Sequence, residues 1–169
     1  MIEINNIRRG NLVQIIAGLV FVGCLVILFL SSFDIVKAKA RDIKRRADIK
    51  VLVKALDLYH DKYGKYPDSF DDWRGWDLSI AYNGKDKNFL NNLKAESLID
   101  RSATDPINSI PYHYRYQKYP AGAYGCKTGF YILQAVKFEL ANKNNGQGSC
   151  PKFNWLEIAP NGYTVQGFD

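Results

Sequence analysis

An α+β architecture, with a long N-terminal helix packed against a small antiparallel β-sheet, is predicted by three features of this 169-residue chain. The first is residues 11–63, which begin as an apolar run, continue amphipathic, and contain neither Gly nor Pro between Ser31 and Lys62. The second is the abrupt end of that stretch at Tyr63-Gly64-Lys65-Tyr66-Pro67. The third is the loss of helical period beyond Pro67 in favour of short, aromatic-rich segments. At ~1.5 Å per residue a helix over residues 11–63 would be on the order of 80 Å long. A domain of this size has no core that long, so roughly half of the helix must lie in lipid or against other molecules.

Residues 12–30 carry a single polar side chain, Gln14, and match the length needed to cross a hydrocarbon core, which predicts a transmembrane helix over residues 11–33. A cleavable secretory signal is the competing reading, since Arg8 and Arg9 precede the run and Ala38-Lys39-Ala40 has small-residue character. The run is longer than a signal core, and Asp34 and Lys37 place charge before that site, so the anchor reading is preferred. Orientation pits two rules against each other. The basic excess after the run favours a cytoplasmic C-terminal side. A long translocated segment weakens that rule, and a disulfide needs an oxidising compartment. The C-terminal domain is therefore placed outside the cytoplasm, on a single-pass protein of the cytoplasmic membrane.

Residues 34–63 extend the same helix amphipathically. Ile49, Leu52, Val53, Leu56, Tyr59 and Tyr63 recur at three- and four-residue intervals and form the predicted core face, while Lys50, Lys54, Asp57 and Asp61 fall elsewhere. A second stripe, Val36, Ala40, Ile43, Ala47, Val51 and Leu58, points away from the core face. It reads either as a packing surface for neighbouring copies or as small residues tolerated singly at a surface. The formal net charge is +6, and Lys37, Lys39, Arg41, Lys44, Arg45 and Arg46 cluster just beyond the apolar run. That placement suits anionic lipid head groups rather than nucleic acid, or else local pairs such as Asp42 with Arg46 and Lys44 with Asp48.

Beyond Pro67, residues 67–92 read as a long connection with one short helix, anchored by Trp73 and Trp76. Strands are predicted at residues 112–118, 130–138 and 163–168, with residues 153–158 a candidate fourth and Pro160-Asn161-Gly162 the turn before the last. Tyr112, Tyr114 and Tyr116 alternate with His113, Arg115 and Gln117, which predicts a half-exposed strand. Cys126 and Cys150 read as a disulfide closing a loop of about 24 residues, worth roughly 3 kcal/mol in an oxidising compartment; two separate reduced thiols are the alternative. Cys24 lies inside the apolar run.

An enzyme needs positioned groups, and the sequence has no Gly-x-Ser-x-Gly, phosphate-cradling glycine loop or dinucleotide fingerprint. His60 and His113 read as structural histidines. Asp68, Asp71 and Asp72, or Asn83, Asp86 and Asn88, offer oxygens but match no dedicated calcium loop, and Lys85 and Lys87 interrupt the second set. No catalytic residue, metal or cofactor is therefore expected.

Ala47-Asp48-Ile49-Lys50-Val51-Leu52-Val53-Lys54-Ala55-Leu56-Asp57-Leu58-Tyr59, then Tyr63-Gly64-Lys65-Tyr66-Pro67, and Asp105-Pro106 before a Tyr-rich strand resemble the type IV pilin-like proteins. The likeness is greatest to the major pseudopilins of type II secretion systems. It implies a pilin-like fold in which residues 1–10 form a cytoplasmic leader removed by a prepilin peptidase after Gly10, so that the mature chain starts at Asn11. It also implies an extracytoplasmic head domain over residues 64–169, and assembly with like subunits through the N-terminal helix at a secretion or pilus assembly platform. The chain departs from the family at the first turn: Asn11 stands where Phe is usual, and Ile15 where a Glu pairs with a neighbour's terminal amine. Gln14 is the nearest polar substitute, and an amide is a weaker positional device in lipid than a carboxylate. The expectation is thus a structural subunit stored in the membrane and assembled by helix bundling. The alternative is a permanently anchored extracytoplasmic binding domain with a pilin-like fold, neither processed nor polymerised.

Overall fold

The computed structural model describes residues 2–70, 74–81, 89–100 and 103–169, and within the first helix it describes the side chains of residues 13–27 and 33–63. Trp73, Asp71 and Asp72, together with Asn83, Lys85, Asp86, Lys87 and Asn88, lie outside the described residues. Helix α1 covers Ile2–Tyr63. The chain divides into two compact units, Met1–Lys39 and Ala40–Asp169.

In the first unit every described side chain of residues 13–27 is exposed, from Leu25 at 50% to Leu19 at 68% among the large apolar ones. Among the described residues no helix is long and apolar enough to cross a membrane.

The second unit is an α+β domain in which α1 packs on an antiparallel sheet. In chain order the further elements are β1 (Asp77–Leu78), α2 (Asn91–Ala95), β2 (Tyr114–Tyr119), β3 (Phe130–Ala135), β4 (Ser149–Cys150), β5 (Phe153–Asn154) and β6 (Tyr163–Phe168). The main sheet runs β1-β2-β3-β6, all antiparallel, with Tyr116 opposite Leu133 and Leu133 opposite Val165; β4 and β5 form a separate pair. The helix stops where the sequence predicts. Gly64 adopts φ 68°, and its amide donates to the His60 carbonyl at 2.7 Å, a left-handed cap that a side chain would strain. The chain then folds back, so that Tyr66 is buried with its ring 4.6 Å from that of Tyr131, and the Pro67 carbonyl accepts from the Tyr116 hydroxyl at 2.7 Å.

One core lies between α1 and the sheet, built on Ile49, Leu52, Ala55 and Leu56 against Tyr114, Tyr116, Tyr131 and Leu133. Val53 and Tyr59 pack at its margin, whereas Tyr63, predicted on this face, is 42% exposed beyond the sheet's reach and rests on the Tyr59 ring at 4.5 Å. A second core covers the opposite face of the sheet. Its centre is Trp155, ringed by Phe153 at 4.5 Å, Tyr119 at 4.7 Å and Tyr124 at 5.0 Å, with Trp76, Phe130 and Ile132 alongside. Cys126 and Cys150 are joined in a disulfide within this layer.

This second layer corrects the prediction of a half-exposed β2. His113 and Arg115 are buried, and the 148–159 segment folds over Arg115, whose Nη2 donates to the Ile158 carbonyl at 3.3 Å. A polar row crosses the covered face: Arg115 Nε donates to Gln134 Oε1 at 2.7 Å, and Gln134 Nε2 donates to Thr164 Oγ1 at 2.9 Å and to the Trp155 carbonyl at 2.8 Å. Arg115, Gln134 and Thr164 are thereby joined by hydrogen bonds across the covered face. The predicted strand at residues 153–158 is also corrected. Only Phe153–Asn154 is extended, since the Asn154 and Leu156 carbonyls accept from Glu157 and Ala159 in successive turns. The fourth strand of the sheet is instead β1, two residues long. Gly162 makes the turn into β6 where a side chain would meet the Ala135 carbonyl oxygen at 2.3 Å.

The helix is locked to the rest of the unit by a charge cluster. Arg45, fully buried, donates to Asp105 through Nε at 2.6 Å and Nη2 at 3.0 Å, and through Nη1 to Asp42 at 2.7 Å and Glu139 at 2.9 Å. Arg41 Nε adds a second bond to Glu139 at 2.7 Å. Asp42 accepts from the backbone amides of Glu139 and Leu140, both at 2.9 Å, so β3 ends at Ala135 rather than residue 138 as the chain turns to meet it. The predicted Asp42–Arg46 pair is thus replaced: Arg46 lies over the rings of Phe138 and Tyr163, at 5.1 and 5.0 Å. The predicted Lys44–Asp48 pair forms at 2.7 Å. Three of the six basic residues read as facing lipid head groups or making local pairs, Arg41, Arg45 and Arg46, are therefore engaged by partners elsewhere in the domain, Arg45 fully buried and the other two half-buried.

Arg45→Met leaves three carboxylates without their central cation and is expected to destabilise the domain by about 3–5 kcal/mol, read from the denaturation midpoint. The Arg41 hydrogen bond above all, with that of Arg45, holds the Glu139 carboxyl at about 2, below its ordinary 4.5. A depressed carboxylate pKa stabilises fully above the ordinary value, so stability is expected to fall as pH drops from 4.5 towards about 2, and Glu139→Gln should flatten that acid limb. Replacing both Cys126 and Cys150 by Ser is expected to cost roughly 3 kcal/mol by the same measurement.

Candidate functional site

Two faces of α1 in the second unit differ by half a helical turn and by what covers them. The face bearing Asp42, Arg45, Ile49, Leu52 and Leu56 is buried against the sheet. Ala40, Ile43, Ala47, Val51 and Leu58 recur at intervals of three, four, four and seven, which places them on one face by the helical period, and all five are exposed. Ile43 and Val51 are each 60% exposed and Leu58 46%. Val36, in the first unit, is 63% exposed. The six stripe residues predicted from sequence therefore stand at the surface.

The reason is local. The sheet can cover only one face of a helix, and the cluster around Arg45 determines which. Asp48, at the border, accepts from Lys44 Nζ at 2.7 Å and from the buried Tyr114 hydroxyl at 2.8 Å, and burial first, then Asp48, raises the Tyr114 pKa. The border between buried and exposed faces is thereby fixed by hydrogen bonds as well as by packing. The exposed apolar side chains carry no titratable group, so the chemistry available to this face is association with another apolar surface.

The other sequence-predicted residues are dispersed. Gly10 and Asn11 lie on the α1 backbone, the Asn11 side chain being outside the described residues, and Gln14 is exposed on the same helix. Cys24 is a free, exposed thiol. His60 is half-buried, its ring 4.6 Å from that of Tyr66. His113 is buried; burial first, then Arg115, pushes its pKa down to about 4, so the imidazole is neutral at physiological pH. Asp68 accepts from Lys118 Nζ at 3.1 Å. Among the described residues no three His, Cys, Asp or Glu side chains are grouped as a metal site.

Sequence reasoning missed Arg45 and Asp105 as partners, because 60 positions separate them and neither belongs to a periodic pattern that implies the other. It also missed Trp155 as the centre of the second core. Comparison with protein-family models, with curated proteins and with solved structures gives no match.

Ile43→Ser and Val51→Ser are expected to change unfolding free energy by no more than about 0.5 kcal/mol, as surface substitutions do. Ile49→Ala, on the covered face, should cost about 2–5 kcal/mol. Thermal and denaturant unfolding of the three variants checks the contrast.

Proposed function

We propose that this chain is a structural pilin-like subunit, of the pseudopilin kind, in a type II secretion or type IV pilus-type machine. It is stored in the cytoplasmic membrane through residues 11–33, with the head domain on the extracytoplasmic side, and assembles by bundling of its helices with those of like subunits. It has no catalytic role of its own. The observation that carries this reading is the exposed apolar face of Ala40, Ile43, Ala47, Val51 and Leu58, on a helix whose opposite face is already covered. A monomer in water gains nothing from such a face, whereas neighbouring copies would bury it.

Two further features support the membrane part. A helix surface that is apolar on all sides, as at residues 13–27, suits lipid or close packing against other helices. The Cys126–Cys150 disulfide suits an oxidising compartment. The second reading, a permanently anchored extracytoplasmic binding domain, is favoured by Asn11 and Ile15, which lack the ammonium–carboxylate pairing that registers subunits in lipid.

The two readings part at the leader. For the processed subunit, protein isolated from its native membrane begins at Asn11, and Gly10→Val blocks the mass loss and removes the protein from sheared surface fractions. An intact Met1, with mass and fractionation unchanged by Gly10→Val, would leave the permanent anchor. For the assembled subunit, Cys substituted at Val51 should also give disulfide-linked dimers in the membrane that Cys at Lys54 does not.

A further inference from the structure

On the sheet face turned away from α1, at the β1–β2 edge, Leu78, Ile80, Ile110, Pro111 and Val136 line a groove of about 250 Å³ whose remaining walls are His113 and Arg115. An apolar groove by itself implies only missing packing. This one has two polar groups in its wall, each more than nine-tenths buried, that the protein does not use fully.

Arg115 is the first. Its Nε donates to Gln134 and its Nη2 reaches the Ile158 carbonyl at 3.3 Å, while the guanidinium lies 4.3 Å from the centre of the Trp76 ring. Every one of these partners is neutral. Among the described residues no carboxylate pairs with Arg115, and its Nη1 makes no hydrogen bond. The contrast with Arg45, which holds three carboxylates in the same domain, is direct. A buried cation without a counter-charge is costly, and a guanidinium is suited to receiving a carboxylate. His113 is the second: it lines the groove, and among the described residues its buried Nδ1 makes no hydrogen bond of good geometry, with only the Pro111 backbone near it. Leaving such a group unsatisfied is unfavourable, and a polar ligand can relieve that.

We infer that this groove binds a small carboxylate with an apolar body, the carboxylate meeting Arg115 beside His113 and the body lying against Leu78, Ile80, Ile110 and Val136. The occupant is small because the volume falls below the ~300–1,000 Å³ of sites for drug-sized ligands. Charge complementarity selects the acid over its neutral analogues. The site lies within the second unit and does not depend on whether the chain polymerises.

The test uses the full chain in lipid nanodiscs, with 3-phenylpropanoate as probe, 3-phenylpropanamide as its neutral analogue, and empty discs as the background for partitioning. Saturable binding is expected, shifting the Arg115 Nε–H and His113 ring resonances, with the amide at least tenfold weaker. Ile110 is 64% exposed at the rim, so Ile110→Glu should fold normally and weaken the acid at least tenfold by repulsion, whereas Arg115→Gln tests the anchor directly. Equal binding of acid and amide, shifts confined to other residues, or no binding above the empty discs would overturn the proposal. So would a peptide ending in Phe that binds a hundredfold tighter than the probe, which would make the occupant a protein C-terminus.

Discussion

The buried guanidinium of Arg45 is the constraint on which the arrangement of the second unit depends. It reaches Asp105 with two nitrogens and Asp42 and Glu139 with a third, so a single side chain on α1 ties down two segments remote in sequence. Its partners carry the connection further. Asp105 also accepts from the Ile107 amide at 2.8 Å, shaping the turn that leads into β2, and Asp42 holds the amides that follow β3. A buried ion pair is weak evidence for net stability, because desolvation offsets much of the attraction. Its effect here is on register. Sliding or rotating α1 against the sheet would strand Arg45 among apolar groups, a cost that packing of leucines and isoleucines alone would not impose.

That register has a consequence for the opposite face of the helix. Once Arg45, Ile49 and Leu52 are turned inward, Ile43, Ala47 and Val51 must face outward by the geometry of 3.6 residues per turn. The internal lock and the external apolar face are thus one fact seen from two sides. The proposed bundling of neighbouring helices uses a surface whose orientation the domain sets before any neighbour is met.

The sheet is a middle layer rather than a floor. Its helix side is aromatic and aliphatic, whereas its far side carries the Arg115–Gln134–Thr164 row beneath Trp155 and the disulfide. Alternation of tyrosines with polar residues is the signature of a strand with one wet face. Here His113 and Arg115 are covered and Arg115 is hydrogen-bonded to Gln134, so the same pattern arises with far less exposure. Nothing in the local sequence separates these cases. For Arg115 and Gln134 the difference lies in residues 148–159, far along the chain, whose Trp155 and Ile158 carbonyls they meet.

The elements legible in the sequence were those governed by local rules. The end of α1 at Tyr63 followed from Gly64, the position of β6 from Pro160-Asn161-Gly162, and the outward stripe from helical spacing, because cap, turn and period act within a few residues. The α+β class and the Cys126–Cys150 pair followed in the same way from pattern and composition. Long-range partners were not legible: Asp42 was assigned to Arg46, within one helical turn, when its partners are Arg45 and the amides of residues 139 and 140. Strands of two residues, such as β1, are too short to show a period and exist only because β2 is there to pair with them. The sequence alone determined where the helix runs and which of its faces are apolar. Only the tertiary structure decided which of those faces is covered, since burial of Arg45 needed three carboxylates brought together from three separate parts of the chain.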